Sequence, residues 1–353
     1  MPPDPLEVGA RVADLLATGR RVSTYKLAVL SALLQHCLEH PTGADAGLWV
    51  PIGDLADRVV DLYWPQVRPF AAAGVLRQNS TRGRTILDTV ADLRAVAAAA
   101  GLSTPAQLRL AHPDVVARAR RRTSVTLAQQ PLFALQRTGG GAPGTPFLYA
   151  DGWLSEDVTI TALDAHDWSI TLHPGIAHAL ARVSGLLQPV LQQWWVSDLL
   201  RLNAADLDAP DLHGFLFGAA RTAVARLAPG LTDLQAGRCF YCHRPLGRDV
   251  HVDHVLPWSR VAIDGLANLV VADPRCNLAK SASLPAVEHV ATALTRTPGD
   301  LAEIAGPLRW PVDRDRVVGA ATSLYAASPA GTPLWREPGV FDLLPAAGVR
   351  LPR

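Results

Sequence analysis

Three of the four cysteines, two of the four asparagines and one of the two lysines in this 353-residue chain fall between Gly237 and Lys280. Arg has displaced Lys, 31 to 2, and Asn is scarce, as a high-GC coding bias would produce, so a suppressed residue type is informative where it does appear. The segment reads RCFYCHRPLGRDVHVDHVLPWSRVAIDGLANLVVADPRCNLAKSASLP from Arg238 to Pro285. It opens on Cys239-x-x-Cys242 and closes on Asp273-x-x-Cys276 followed by Asn277. Four cysteines in a chain this long do not make a disulfide framework, and in a reducing compartment a C-x-x-C pair more often means metal. A module this small has little core of its own, and a bound ion would supply much of its stability.

Between the two ends of the segment stand Val252-Asp253-His254-Val255-Leu256-Pro257, then Asn268-Leu269-Val270, then Cys276-Asn277 with Lys280. His254 and Asn268 are fourteen positions apart and Asn268 and Asn277 nine, room for a strand, a loop, a second strand and the start of a helix. A phosphodiester-cleaving site needs one cation and one base on opposite sides of the scissile phosphorus. These three elements resemble those of the HNH, or ββα-metal, nuclease family: an Asp-His pair ending the first strand, a central Asn near the second, and a final Asn opening the helix.

The resemblance implies specific roles. Asp253 and Asn277 would bind Mg²⁺ or Mn²⁺ through oxygen, as a hard cation prefers. The ion would stabilise the charge of the pentacovalent phosphate and of the departing 3′ oxygen. His254 would be the general base, a task suited to an imidazole that titrates near neutrality. Asn268 would hold the loop and the His254 backbone, and Lys280 would lie near a phosphate. Many relatives pair two C-x-x-C knuckles around a structural zinc. Here Cys239, Cys242, Asp273 and Cys276 would form that Zn²⁺ site with one carboxylate in place of a thiolate, and His243 is a substitute ligand; ordinary buried thiols are the alternative. His251 shares a strand face with Asp253 and reads either as a substrate contact or as a plain exposed strand residue.

The remaining chain predicts an α+β protein: a mainly helical N-terminal region, a small β-containing middle segment, and a C-terminal ββα-metal module with tail helices. The predicted divisions are a helical domain at 1–125, a mixed β/α segment at 126–230, and the nuclease domain at 231–353 with its core at 237–286. Leu27, Leu30, Leu34, Cys37 and Leu38 share one helical face, with Cys37 a buried small hydrophobe, and Ile52, Leu55, Val59 and Leu62 share another. Residues 85–101 predict a third helix, and 104–119 a fourth, capped by Thr104 with Pro105 at its first position. Alternation in 124–136, 147–154 and 158–174, around the turn TGGGAPG at 138–144, predicts a small sheet. Helical spacing resumes at 175–202, interrupted at Pro189, and at 215–228. Tail helices follow at 287–294 and 317–326, then an irregular Pro-rich end.

The formal net charge of +1 provides no whole-protein field for a polyanion, so nucleic acid must meet local patches. Arg118, Arg120, Arg121 and Arg122 form the densest basic run, and Arg244 and Arg260 lie inside the module. Each reads as a phosphate contact or, blandly, as a solvated cation. Arg77, Gln78, Asn79, Arg82 and Arg84 make a polar loop that either reads DNA or connects helices, and Trp194 and Trp195 read as core rather than as a base-stacking platform. No apolar run of membrane-spanning length and no secretory signal is visible, which predicts a cytoplasmic protein. The resemblance implies a bacterial HNH endonuclease acting on DNA, in restriction or anti-phage defence, with a long N-terminal extension for target recognition or a regulatory partner. Dimerisation would serve to break both strands. The rival readings are a catalytically silent zinc-knuckle module that binds nucleic acid or protein, and an RNA nuclease using the same residues.

Overall fold

The computed structural model describes residues 2–18, 23–70, 73–79, 85–137, 146–203, 209–218, 221–349 and 351–352. The chain divides into two compact units, Met1–Cys37 with Thr42–Gly218, and Leu38–Pro41 with Ala219–Arg353.

The first unit is mainly helical: α1 (Pro5–Thr18), α2 (Tyr25–Glu39), β1 (Leu48–Pro51), α3 (Ile52–Tyr63), α4 (Thr85–Ala99), α5 (Pro105–Ala111), α6 (Pro113–Leu127), α7 (Ile160–Ala165), β2 (Ser169–Leu172), α8 (Ile176–Asn203) and α9 (Ala209–Phe217). The apolar positions anticipated on α2, including Cys37, are buried. Burial pushes the Cys37 thiol up to about 12, so it is an inert core group rather than a nucleophile. The predicted cap of α5 is present as a full capping box, Thr104 Oγ1 accepting from Gln107 N while the Gln107 side chain reaches back to Thr104 N. The single helix anticipated over 104–119 is two helices. Pro113 disfavours helical geometry in the residue before it, and His112 breaks the run at φ −136°, ψ 62°.

The middle segment departs further from expectation. Residues 124–136 are not a strand: α6 runs to Leu127 and continues through a π turn at Ala128–Leu132 into a short helical stretch at Phe133–Leu135. Leu127, Ala128, Pro131, Leu132 and Leu135 are all buried, and they repeat at helical spacing, which outweighs the brief alternation in SVTL. The only sheet of this unit among the described residues is β1 against β2, antiparallel, with Val50 opposite Ile170 and Leu48 opposite Leu172. Residues 138–144, where a Gly-rich turn was anticipated, lie outside the described residues. Helix α8 passes through Pro189 without a break; the residue four positions back, whose carbonyl a proline ring crowds, is Gly185.

Trp195 is fully buried against Tyr63, ring centroids 5.3 Å apart, and its Nε1 donates to Gln78 Oε1. Gln78 also takes a hydrogen bond from Thr24 Oγ1 and gives one to Gln66 Oε1. Gln78 and Asn79 are therefore core residues, not a DNA-reading loop. Arg82 and Arg84 lie outside the described residues.

The second unit holds α10 (Ala228–Leu234), β3 (His251–His254), β4 (Leu269–Ala272), α11 (Pro274–Lys280), α12 (Val287–Leu294), α13 (Pro298–Leu308), α14 (Arg314–Ala327), β5 (Pro333–Glu337) and β6 (Val340–Leu343). The helix anticipated over 215–228 is fragmented, because α9 ends at Phe217 and short helical turns from Arg221 lead into α10. The tail contains one helix more than the spacing suggested, and its end is a β-hairpin rather than irregular chain. That hairpin is tied down by Trp335, which is fully buried and whose backbone exchanges hydrogen bonds with Leu284 and Ala286. Among the described residues no helix is long and apolar enough to cross a membrane.

Candidate active site

β3 and β4 pair antiparallel, placing Asp253 opposite Val270 and His254 opposite Leu269, and α11 follows directly from β4. Strand alternation puts His251 and Asp253 on one face and His254 on the other. On the first face, Asp253 Oδ2 accepts from Tyr241 Oη at 2.6 Å and stands 3.0 Å from Lys280 Nζ. Burial and the Asp253 charge push the Tyr241 phenol well above its ordinary range, so it remains a donor. Asp253 Oδ1 takes no hydrogen bond among the described residues. Neither does Asn277 Oδ1, whereas Asn277 Nδ2 lies 3.0 Å from His251 Nδ1.

Lys280 is not near the surface, where a phosphate could reach it. Its side chain is 1% exposed, and Nζ donates to the His254 carbonyl at 2.7 Å as well as pairing with Asp253. Desolvation lowers its pKa while the Asp253 carboxylate raises it, so the ammonium depends on that carboxylate. Lys280 ends α11 on the side that packs onto β3, so its long stem reaches inward, away from where a phosphate could meet it.

His254 is held by a residue the sequence did not point out. Its Nε2 lies 2.7 Å from Asp264 Oδ1, while Nδ1 has no hydrogen bond among the described residues. The loop carrying Asp264 is fixed twice. Trp310 Nε1 donates to the Asp264 carbonyl at 2.6 Å, and the next residue, Gly265, approaches Asp313 so closely that a Cβ there would meet Asp313 Cβ at 2.3 Å.

Asn268 is completely buried and acts on the same loop. Its Oδ1 accepts from Leu256 N, its Nδ2 donates to the Leu256 and Ile263 carbonyls, and its own carbonyl accepts from Val255 N. It thus grips the loop one and two residues beyond His254, whose own carbonyl goes to Lys280. Arg296, also unforeseen, clamps the turn around Asn268 by donating to the carbonyls of Leu266, Ala267 and Leu269. Burial lowers its guanidinium to about 10, still charged at neutral pH.

The Sγ atoms of Cys239, Cys242 and Cys276 lie within 4.8 Å of one another. Zn–S bonds of about 2.3 Å in a tetrahedron set sulfurs roughly 3.8 Å apart, so the trio fits one ion with modest adjustment. The turn between the first two cysteines and Arg244 is closed by Cys239 N donating to the Arg244 carbonyl, with His243 in a left-handed conformation at φ 57°. Asp273 N donates to Cys239 Sγ at 3.3 Å. Neighbouring thiol hydrogen bonds and the backbone lower the Cys242 pKa despite desolvation, while burial beside the other sulfurs raises that of Cys276. The Asp273 carboxylate is not among the gathered ligands. It caps α11, accepting from Arg275 N at 2.9 Å with Pro274 at the first helical position, a local geometry that competes with metal ligation. Exposed His243 is likewise outside the cluster.

The six arginines are divided between the two units. Arg120 pairs with Asp54 at 2.6 Å and Asp57 at 3.5 Å, and Arg121 stacks 4.3 Å above the Trp168 ring. Arg118 and Arg122 are exposed on α6. In the second unit Arg244 is exposed, and Arg260 Nε donates to the Ala282 carbonyl.

Two strands, the first ending on an Asp-His pair, an Asn-bearing helix after them and a three-cysteine cluster give residues 239–286 the build of an HNH module. Residues 239–286 match the family described as HNH endonuclease. Residues 6–216, more than half of the chain, match the Domain of unknown function (DUF8808), and the chain belongs to that family, with its HNH endonuclease domain placed after it. No curated protein and no solved structure matches it.

Proposed function

We propose that the chain is a divalent-metal-dependent endonuclease that hydrolyses phosphodiester bonds of DNA. The observation carrying this reading is the pairing of His254 Nε2 with Asp264 Oδ1 while Nδ1 stays unbonded, together with one unbonded oxygen each on Asp253 and Asn277. Neutral His254 donates its Nε2 proton to Asp264, which fixes the tautomer and leaves the Nδ1 lone pair as the base. Nδ1 takes a proton from water as the water oxygen attacks phosphorus, the P–O3′ bond breaks, and the leaving oxygen is protonated by solvent. Asn268 and Lys280 hold the His254 backbone and the following loop, keeping this geometry fixed.

The residues present suit a hard cation, since Asp253 and Asn277 each offer an unbonded oxygen. Bound there, Mg²⁺ or Mn²⁺ would neutralise charge developing on the phosphate and the leaving oxygen. The three cysteines suit Zn²⁺, which would brace the module without entering the chemistry. Target choice falls to the first unit, and a bacterial defence setting, either restriction or anti-phage immunity, is the role such an assignment fits.

The test is full-length, zinc-loaded protein with Mg²⁺ or Mn²⁺ on supercoiled plasmid, single-stranded DNA and RNA in competition, beside His254→Ala and Asn277→Ala. Wild type should cleave DNA in preference, and both variants should fail. Undiminished cleavage by both variants would overturn the mechanism, and exclusive RNA cleavage would reassign the substrate.

A further inference from the structure

We propose that His251 is a third protein ligand of the catalytic cation, and that its imidazole biases the site toward Mn²⁺ or a later first-row ion over Mg²⁺. This rests on the nuclease reading for the existence of the cation and adds a donor to it.

His251 stands two residues before Asp253, so its ring projects from the same face of β3 as the Asp253 carboxylate. Its Nδ1 is 3.0 Å from Asn277 Nδ2. A half-turn of the Asn277 amide exchanges nitrogen for oxygen and leaves two lone-pair atoms facing each other at that separation. With the ring proton on Nε2 those two atoms repel unless a cation bridges them, and with it on Nδ1 they form an ordinary hydrogen bond. Adjacent ligands of an octahedral ion with bonds of about 2.1 Å are roughly 3.0 Å apart, so the amide and the imidazole already span one edge of such a shell.

At the other ring nitrogen, Nε2, the exposed Asp249 carboxylate stands 3.7 Å away, beyond direct hydrogen-bond reach. His251 is half-buried and needs no large movement to act. The donor set is then one carboxylate oxygen, one amide oxygen and one imidazole nitrogen. Replacing an oxygen by imidazole strengthens binding of first-row transition ions, in the order Mn²⁺ < Fe²⁺ < Co²⁺ < Ni²⁺, relative to Mg²⁺, which prefers all-oxygen shells.

The experiment is electron paramagnetic resonance of Mn²⁺ bound to the full-length, zinc-loaded protein, reading both affinity and the echo modulation from a coordinated nitrogen. Wild type and His254→Ala should show nitrogen modulation. His251→Asp should lose it and shift the competition toward Mg²⁺, and His251→Ala should weaken Mn²⁺ by at least about tenfold. Mn²⁺ bound without nitrogen modulation, or with unchanged affinity in His251→Ala, would overturn the assignment while the nuclease reading stood on its cleavage data. Failure to bind Mn²⁺ together with failure to cleave would overturn both.

Discussion

The ammonium of Lys280 lies 3.0 Å from Asp253 Oδ2 and 2.7 Å from the carbonyl of His254, so one buried cation ties the end of α11 to both residues of the Asp-His corner. Catalytic geometry and folding of the module therefore share a joint. Lys280→Met would strand the Asp253 carboxylate with only Tyr241 for support. Breaking a buried pair from one side costs about 3–5 kcal/mol, and the unfolding transition of the second unit should fall accordingly. Tyr241→Phe removes one hydrogen bond to a charged acceptor and should cost about 1.5–3 kcal/mol. Denaturant unfolding measures both; a loss under about 1 kcal/mol for Lys280→Met would contradict the pairing.

Asp264 is a positioning residue for His254. Asp264→Ala should lower kcat on the order of 10²-fold, within the span of general-base contributions, while KM and Mn²⁺ affinity stay near wild type because Asp253 and Asn277 are untouched. A variant with wild-type kcat would show that the His254–Asp264 bond is incidental.

Zinc should depend on the three gathered sulfurs rather than on Asp273. Cys242→Ser or Cys276→Ser should lower zinc content and destabilise the second unit. Asp273→Asn keeps a good helix cap and should retain zinc, whereas Asp273→Ala should lose about 1 kcal/mol through the cap alone. Metal analysis of the purified variants decides the matter, and loss of zinc from Asp273→Asn would make the carboxylate a ligand after all.

His289 gives the second unit a pH dependence. Its Nε2–H donates to the Arg336 carbonyl at 2.7 Å, and its ring packs against Tyr241 and Trp335. Burial holds its pKa below the usual 6.5, so the folded state binds a proton less readily than the unfolded chain. Stability is then complete above that value and declines as pH falls through it. Glu288 and Asp342, both lowered by Arg336, add a separate loss only in the carboxylate range. Thermal unfolding of His289→Gln against pH should show the upper part of the slope flattened and the acidic part kept. An unchanged slope near pH 6 would contradict the assignment.

The parts of the fold legible in the sequence are those written in local spacing. The face of α2 and the cap at Thr104 required only short-range pattern, whereas the strand-loop-strand-helix order from His251 to Lys280 followed from the resemblance to the HNH family. Asn268 was readable as a loop anchor because its neighbours in sequence are also its partners in space. What escaped depends on long reach or on packing. Asp264 reaches His254 from ten positions away, Arg296 arrives from beyond the module, and Tyr241 lies between two cysteines with no motif of its own. The inward turn of Lys280 is not legible in the motif, because motif position says nothing about which way a four-carbon stem turns. The middle segment misled for a related reason: the alternation in SVTL is too short to compete with five buried positions at helical spacing.

The central claim is that His254 is the base of a metal-dependent nuclease, and a time course of supercoiled plasmid cleavage by wild type and His254→Ala at matched folding and zinc content tests it most directly. The account predicts nicking or linearisation by wild type that requires added Mn²⁺ or Mg²⁺ and a rate lower by about 10²- to 10⁴-fold in the variant. Equal rates in the two proteins, or cleavage that persists without a divalent cation, would contradict it.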